Sequence, residues 1–254
     1  MISPARHPKQ NVTKATAKQR MLKQLLCTDA PEQALRYHGF RSIAGVDEVG
    51  RGALFGPVVA AAVILPTSVA ALARAGLKDS KQMTREDRER LDRRIRRTAI
   101  ALSVAAVDAE TIDRVNIYQA TRIAMLQAVL GLAVEPDHLI IDAMRLDHAC
   151  AQTKLFYGDA LCLSIAAASV IAKVHRDAMM RDMHETYPQY GLAAHKGYGT
   201  PEHRRALAEH GPCPLHRRSF APVYAADKDA VLDEVVESGE LFLDEEVDVE
   251  AVWA

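Results

Sequence analysis

Eight consecutive residues, Val58 to Leu65, carry no polar side chain and stop at Pro66. The run is too short to cross a bilayer as a helix, which needs about 20 apolar residues. Its length, its valines and its proline boundary read as a strand buried on both faces. Such a strand requires a sheet around it with layers on either side. Other segments supply them: strand-like runs occur at Ser42 to Asp47, Ile100 to Val107 and Leu139 to Ile141. Between and beyond them lie helix-like stretches. Thr84 with Asp87 three residues on resembles a capping box, opening a charged helix whose inner face carries Leu91 and Ile95. One helix is expected from about Ala109 to Leu132, a long one from Leu163 to Tyr187 before Pro188, and a short one from Pro201 to His210. Strands alternating with helices in one core define an α/β fold.

Charge divides the chain into three stretches. The formal net charge of the 254 residues is only −1. From Asp227 onward, however, eleven acids face one base, Lys228. Taking these from the 33 acids and 32 bases of the chain leaves 22 against 31, a net +9 over residues 1–226. A basic body with an acidic tail suits a polyanion-binding protein whose bulk charge conceals the fact. Arg6, Lys9, Lys14, Lys18, Arg20 and Lys23 precede the first acid, Asp29, so residues 1–41 read as a basic, flexible arm without a secretory signal's apolar core. The expected organisation is this arm, a catalytic domain over 42–226 and a tail over 227–254. Cys27, Cys150, Cys162 and Cys213 are scattered, with no CxxC pair or Cys/His cluster, which points to reduced thiols in a cytoplasm and away from structural zinc. No apolar run approaches membrane-spanning length.

Acids stand where the apolar strands end. Asp47-Glu48 closes the first strand and runs into the glycine-rich bend Gly50-Arg51-Gly52. Adjacent strand residues face opposite ways, but a kink at Val49-Gly50 could turn both carboxylates into one cavity. Asp142 ends the strand Leu139 to Ile141, and Asp159 follows Gly158 just ahead of the long helix. Each acid alone also suits an ordinary turn or helix cap. Together they form a set of hard oxygen donors for Mg²⁺ or Mn²⁺, ions that bind phosphate oxygens as well. Two such ions roughly 4 Å apart clamp the attacking and leaving oxygens of a phosphoryl displacement. Lys81, Lys173, Arg217 and Arg218 are candidate phosphate contacts, although each also suits an ordinary surface charge. Tyr198, between Gly197 and Gly199, could stack on a base or sugar. His195 and His216 read as hydrogen-bonding residues.

Taken in order, these segments resemble ribonuclease HII, the type 2 ribonuclease H of bacteria. The resemblance is carried by residues 45–52, 56–63, 77–81, Ile141-Asp142, Gly158-Asp159, 167–174 with Arg176-Asp177, 195–200 and 216–220, and it spans roughly 42–224. It implies a ribonuclease H-like mixed sheet flanked by helices, with a helical C-terminal region. It further implies hydrolysis of the RNA strand of RNA–DNA hybrids and nicking 5′ of ribonucleotides embedded in duplex DNA, leaving 3′-hydroxyl and 5′-phosphate ends. Asp47, Glu48, Asp142 and Asp159 match the family's metal-binding acids. Gly50, Arg51 and Gly52 match its 2′-hydroxyl-sensing turn, and Tyr198 its junction-reading tyrosine. Three positions depart from the common pattern: Ala53 replaces a proline, Ala143 a frequent glycine after the third acid, and Tyr157 a lysine before Gly158-Asp159.

Rival readings remain open at this point. A related two-metal exonuclease or resolvase would cut all-DNA duplexes. A non-catalytic hybrid-binding module would bind without divalent metal and cut nothing. A monomer is expected, and Leu241-Phe242-Leu243 in the tail could dock a partner such as a sliding clamp.

Overall fold

A computed structural model describes residues 25–78 and 80–227; residues 1–24, Asp79 and 228–254, including the tail's Leu241-Phe242-Leu243, lie outside the described residues. Five strands form one sheet: β1 (Ile43–Val49), β2 (Val58–Ile64), β3 (Ala101–Val107), β4 (His138–Asp142) and β5 (Ala151–Leu155), in the order β3-β2-β1-β4-β5. β1 runs antiparallel to β2 and parallel to β4, and β4 parallel to β5, so the sheet is mixed. All seven residues of β2 are buried, as an unbroken apolar run requires of an interior strand.

The helices are α1 (Ala30–Tyr37), α2 (Ala70–Arg74), α3 (Arg85–Thr98), α4 (Ala109–Val115), α5 (Ile117–Leu130), α6 (Gly158–Leu161), α7 (Leu163–Thr186), α8 (Leu192–His195) and α9 (Pro201–His210). The capping box is present: the Thr84 hydroxyl accepts from the Asp87 amide at 3.2 Å, a cap worth about 1 kcal/mol. The single helix expected over 109–132 is instead two. Asn116 between them sits at φ 69, a left-handed conformation that ends α4, and its side chain accepts from the Gln119 amide at 3.1 Å to start α5. The periodicity continued across the break because the apolar spacing of the two helices stays nearly in phase.

The chain divides into two compact units. Among the described residues, one contains 25–49, Val59–Ala105 and Arg122–His175; the other contains Gly50–Val58, Ala106–Thr121 and 176–227. The first has a core of Ile43, Ile140, Cys162 and Ile165, packed by Leu35, Phe40 and Leu155. In the second, Phe55, Met180, Tyr190 and Leu192 cluster, as do Leu54, Leu207 and Val223.

The arm expected over 1–41 needs correction in its described part. Thr28 bridges Cys162, and Glu32 on α1 is buried, accepting from the Ser164 amide at 2.7 Å and from the Cys162 thiol at 3.2 Å. Residues 25–41 are therefore anchored to the start of α7. Their polarity concealed this, because the anchoring group is itself a carboxylate that caps a helix N-terminus.

Candidate active site

In the first unit, β1 and β4 lie side by side. Val46 pairs with Ile141, so the next residues on these parallel strands are Asp47 and Asp142. Glu48 follows Asp47 within β1, which continues regularly through Val49; the bend comes only at Gly50, φ +89. The kink suggested by the sequence therefore falls after the two adjacent acids rather than at them. Asp159 stands in the first turn of α6. Asp142 Oδ1 accepts from the Gly158 amide at 2.9 Å, which satisfies a helix-start donor and ties the third acid to the fourth. A Cβ at Gly158 would lie 2.5 Å from Ile165 Cδ1 and 3.3 Å from Asp142 Oδ1, so both side chains would have to give way.

Asp47 is the electrostatic centre. It is 4 % exposed, and its carboxyl is held well above the usual carboxylate range, first by burial and then by the charges of Glu48, Asp142 and Asp159. A hydrogen bond from Ser169 on α7 pulls the other way. The Ser169 hydroxyl pairs in turn with the Ser80 hydroxyl at 2.8 Å, and both serines are buried. The neighbouring Lys81 reaches Asp159 at 3.1 Å, while Arg88 fixes their loop through the carbonyls of Ser80 (3.0 Å) and Met83 (2.7 Å). Lys173 is half-buried on α7, four residues past Ser169 and hence on the same helix face.

Asp47 therefore senses the charge of the other three acids. Among the described residues, though, no three His, Cys, Asp or Glu side chains converge tightly enough to hold an ion as they stand. The Lys81 ammonium, 3.1 Å away, partly compensates Asp159. The donor set is all carboxylate oxygen, and a buried Asp47 that resists ionising is what a site for a hard dication presents without it. The residues fit such an ion.

Gly45 sets the distance between β1 and α7. A Cβ there would fall 2.2 Å from the Ser164 carbonyl carbon, so strand and helix backbones touch two residues before Asp47. That contact brings Ser169 within reach of Asp47. Sequence reading included Ser169 only within the family-like stretch 167–174 and gave it no role, although its signal was a hydroxyl at the end of the alanine run Ala166-Ala167-Ala168. Glu32 and Ser80 were also missed.

Gly50, Arg51, Gly52 and Tyr198 belong to the second unit. There Ala53 bridges Tyr198, and the Leu54 amide donates to the Gly197 carbonyl at 2.8 Å. Arg217, taken from sequence as a surface charge or phosphate contact, is fully buried and so is neither. Arg218 pairs with Asp227, while its amide donates to Asp113 at 2.8 Å. The histidines make fixed hydrogen bonds. His203 Nδ1 donates to the Tyr198 carbonyl at 3.0 Å, and His216 Nδ1 accepts from the Cys213 amide at 3.0 Å. These tautomers leave His216 Nε2–H donating to His203 Nε2 at 3.2 Å. Burial pushes both rings down, His203 to about 4 and His216 to about 3.

A mixed five-stranded sheet flanked by helices is a ribonuclease H-like fold. Residues 44–223 match the family model for ribonuclease HII. The chain belongs to the ribonuclease HII family. It is 57 % identical over 212 residues to ribonuclease HII of Koribacter versatilis, covering 84 % of this chain and 82 % of that protein. Among solved structures, ribonuclease H2 from Pyrococcus horikoshii OT3 superposes with a TM-score of 0.66 at 24 % identity, covering 74 % of this chain and 98 % of the other. Bst-RNase HIII in complex with Mn²⁺ superposes with 0.61 at 24 % identity, covering 90 % and 76 % respectively. The protein is thus a ribonuclease H, an endonucleolytic hydrolase of a divalent-metal-dependent family that acts on RNA–DNA hybrids. No described helix is long and apolar enough to cross a membrane.

Proposed function

We propose that Asp47, Glu48, Asp142 and Asp159 hold two divalent cations, Mg²⁺ or Mn²⁺, and that the enzyme incises 5′ of ribonucleotides embedded in duplex DNA, leaving 3′-hydroxyl and 5′-phosphate ends. The observation that carries this reading is the Asp47 carboxyl, buried among three further carboxylates that resist its ionisation. The Mn²⁺ complex of the fold neighbour supports the choice of ion. Bound cations supply a Lewis acid that activates water and a clamp for the departing 3′-oxygen. The remaining work falls to side chains. Ser169, braced by Ser80, keeps the Asp47 carboxylate in one orientation. Lys81, which neutralises Asp159 at 3.1 Å, and Lys173 then face the substrate phosphate.

The ribonucleotide test is assigned to the second unit. The backbone of Gly50, Arg51 and Gly52 reads the 2′-hydroxyl, the group that separates RNA from DNA locally, and the Tyr198 ring stacks on the adjoining sugar. The decisive experiment is a duplex carrying one ribonucleotide, incubated with Mg²⁺ or Mn²⁺ beside an all-DNA control. A single nick 5′ of the ribonucleotide is expected, and Asp47→Asn should abolish it. Cutting of the control would favour a DNA exonuclease or resolvase instead.

A further inference from the structure

Arg176 and Arg217 are both 0 % exposed. Burying even one charge is costly, yet among the described residues every hydrogen bond from either guanidinium goes to a backbone carbonyl. Arg217 donates from Nε to Gly56 (2.9 Å) and from Nη1 to Arg51 (2.9 Å). Arg176 donates from Nε to Pro57 (3.0 Å), from Nη2 to Phe55 (3.1 Å) and from Nη1 to Lys196 (2.8 Å). The two cations also repel: after burial, Arg176 is the largest reason that Arg217 is pushed down to about 9. Among the described residues, Arg217 Nη2 has no hydrogen-bond partner. A side chain serving stability alone would be neutral here, since a hydrophobic replacement of a buried charge is often neutral or stabilising.

A neutral side chain lacks the rigid, planar fork that holds several carbonyls in fixed relative directions. Those carbonyls belong to one turn. A Cβ on Gly50, at φ +89, would lie 2.2 Å from Arg176 Nε, so the first residue of the turn rests directly on that guanidinium. The carbonyl of the second residue, Arg51, is held by Arg217. In a trans peptide the C=O and the following N–H point in opposite directions. Holding the Arg51 carbonyl inward therefore aims the Gly52 N–H outward. Gly52 is exposed, a Cβ on it would meet nothing within 4 Å, and its amide makes no hydrogen bond among the described residues. On its other side Arg176 lies 5.6 Å from the Tyr198 ring centroid.

We propose that Arg217, with Arg176 beside it, is a positioning residue for ribonucleotide recognition: the buried guanidinium pair holds the Gly50-Arg51-Gly52 turn so that the Gly52 N–H is presented, preorganised, to the 2′-hydroxyl. This rests on the reading that residues 50–52 sense that hydroxyl. Neither arginine touches substrate. Their charge is carried for geometry, because a donor already aimed needs no reordering when the sugar arrives.

The test compares cleavage of two duplexes identical except that one sugar carries a 2′-hydroxyl or a 2′-fluorine. The ratio of their kcat/KM values measures how much the enzyme uses the hydroxyl. Arg217→Lys keeps the charge but not the fork, and should lower the hydroxyl-to-fluorine ratio at least tenfold. A purely structural role would slow both substrates alike and leave the ratio unchanged, and that result would overturn the proposal. Gly52→Pro, which deletes the presented N–H, separates the two levels. If it too leaves the ratio intact, the reading of residues 50–52 fails. If it lowers the ratio while Arg217→Lys does not, only the positioning role fails. Arg217→Ala supplemented with ethylguanidinium is the second arm. Recovery of the ratio supports the proposal; no recovery in a folded protein, or failure to fold with the ion present, refutes it.

Discussion

Replacing Ala143 with glycine should stabilise the protein, although the substitution enlarges the unfolded ensemble. Ala143 directly follows Asp142 and sits at φ 52, in the left-handed region. An L-residue with a Cβ held there carries a penalty of roughly 1–2 kcal/mol that glycine escapes. Against this, glycine raises the conformational entropy of the unfolded chain, worth about 0.4–1 kcal/mol. The methyl group contributes little packing, since Ala143 is exposed. Its backbone amide, which donates to the Leu155 carbonyl at 2.8 Å, is retained. The balance is a gain of roughly 0.5–1 kcal/mol. For a chain of this size the thermal midpoint should rise about 1–4 °C. Differential scanning calorimetry of wild type, Ala143→Gly and Ala143→Val decides it, with valine expected to lower the midpoint because a β-branched residue fits φ > 0 worst. An unchanged or lowered midpoint for the glycine variant would refute the reasoning, because the left-handed turn would then carry no strain. The resemblance drawn from sequence places a frequent glycine at this position, and the φ value supplies its physical reason.

Asp47→Asn should trade activity for stability. It removes a buried carboxyl crowded by three like charges, so the midpoint in chelator should rise by on the order of 1 kcal/mol equivalent. Mn²⁺ should raise the wild-type midpoint but not that of the variant, and a rise persisting in the variant would place the ion elsewhere. Glu32→Ala deletes the charge-assisted bond to the Ser164 amide at 2.7 Å and should cost about 2 kcal/mol in urea denaturation. Glu32→Gln should recover much of that loss, and a silent alanine variant would show that the anchor is dispensable. The His203–His216 pair makes stability depend on acid. Both folded values, about 4 and about 3, lie below the unfolded value of 6.5, so above pH 6.5 both states are neutral and the pair contributes no slope. As pH falls from 6.5 toward 4 the unfolded chain takes up protons that the fold refuses, and stability drops by about 1.4 kcal/mol per pH unit for each. Urea midpoints at pH 7 and pH 5 should therefore differ less in His203→Gln than in wild type; equal differences would count against the pair.

Much of this fold is written in short stretches of the chain. β2 was legible because eight apolar residues ending at proline have few other uses, and α3 because Thr84 and Asp87 stand three apart. The four acids were legible as strand-end and helix-start residues, and the resemblance made them a set. β5 was not legible: Ala151–Leu155 includes Gln152, Thr153 and Lys154, the polar pattern of an edge strand rather than an apolar run. The break at Asn116 was hidden because one left-handed residue scarcely disturbs helical periodicity.

What the sequence determined by itself, then, was the α/β class, the sheet's central strands and the placing of acids at element ends, since these depend on side-chain type and on spacings of a few residues. Tertiary structure alone decided which groups support them. Glu32 meets Ser164 across 132 positions, Ser80 meets Ser169 across 89, and Arg217 meets Arg51 across 166. No local pattern distinguishes a polar residue destined for such a partner from one left in water. Burial makes the distinction, and burial belongs to the folded chain.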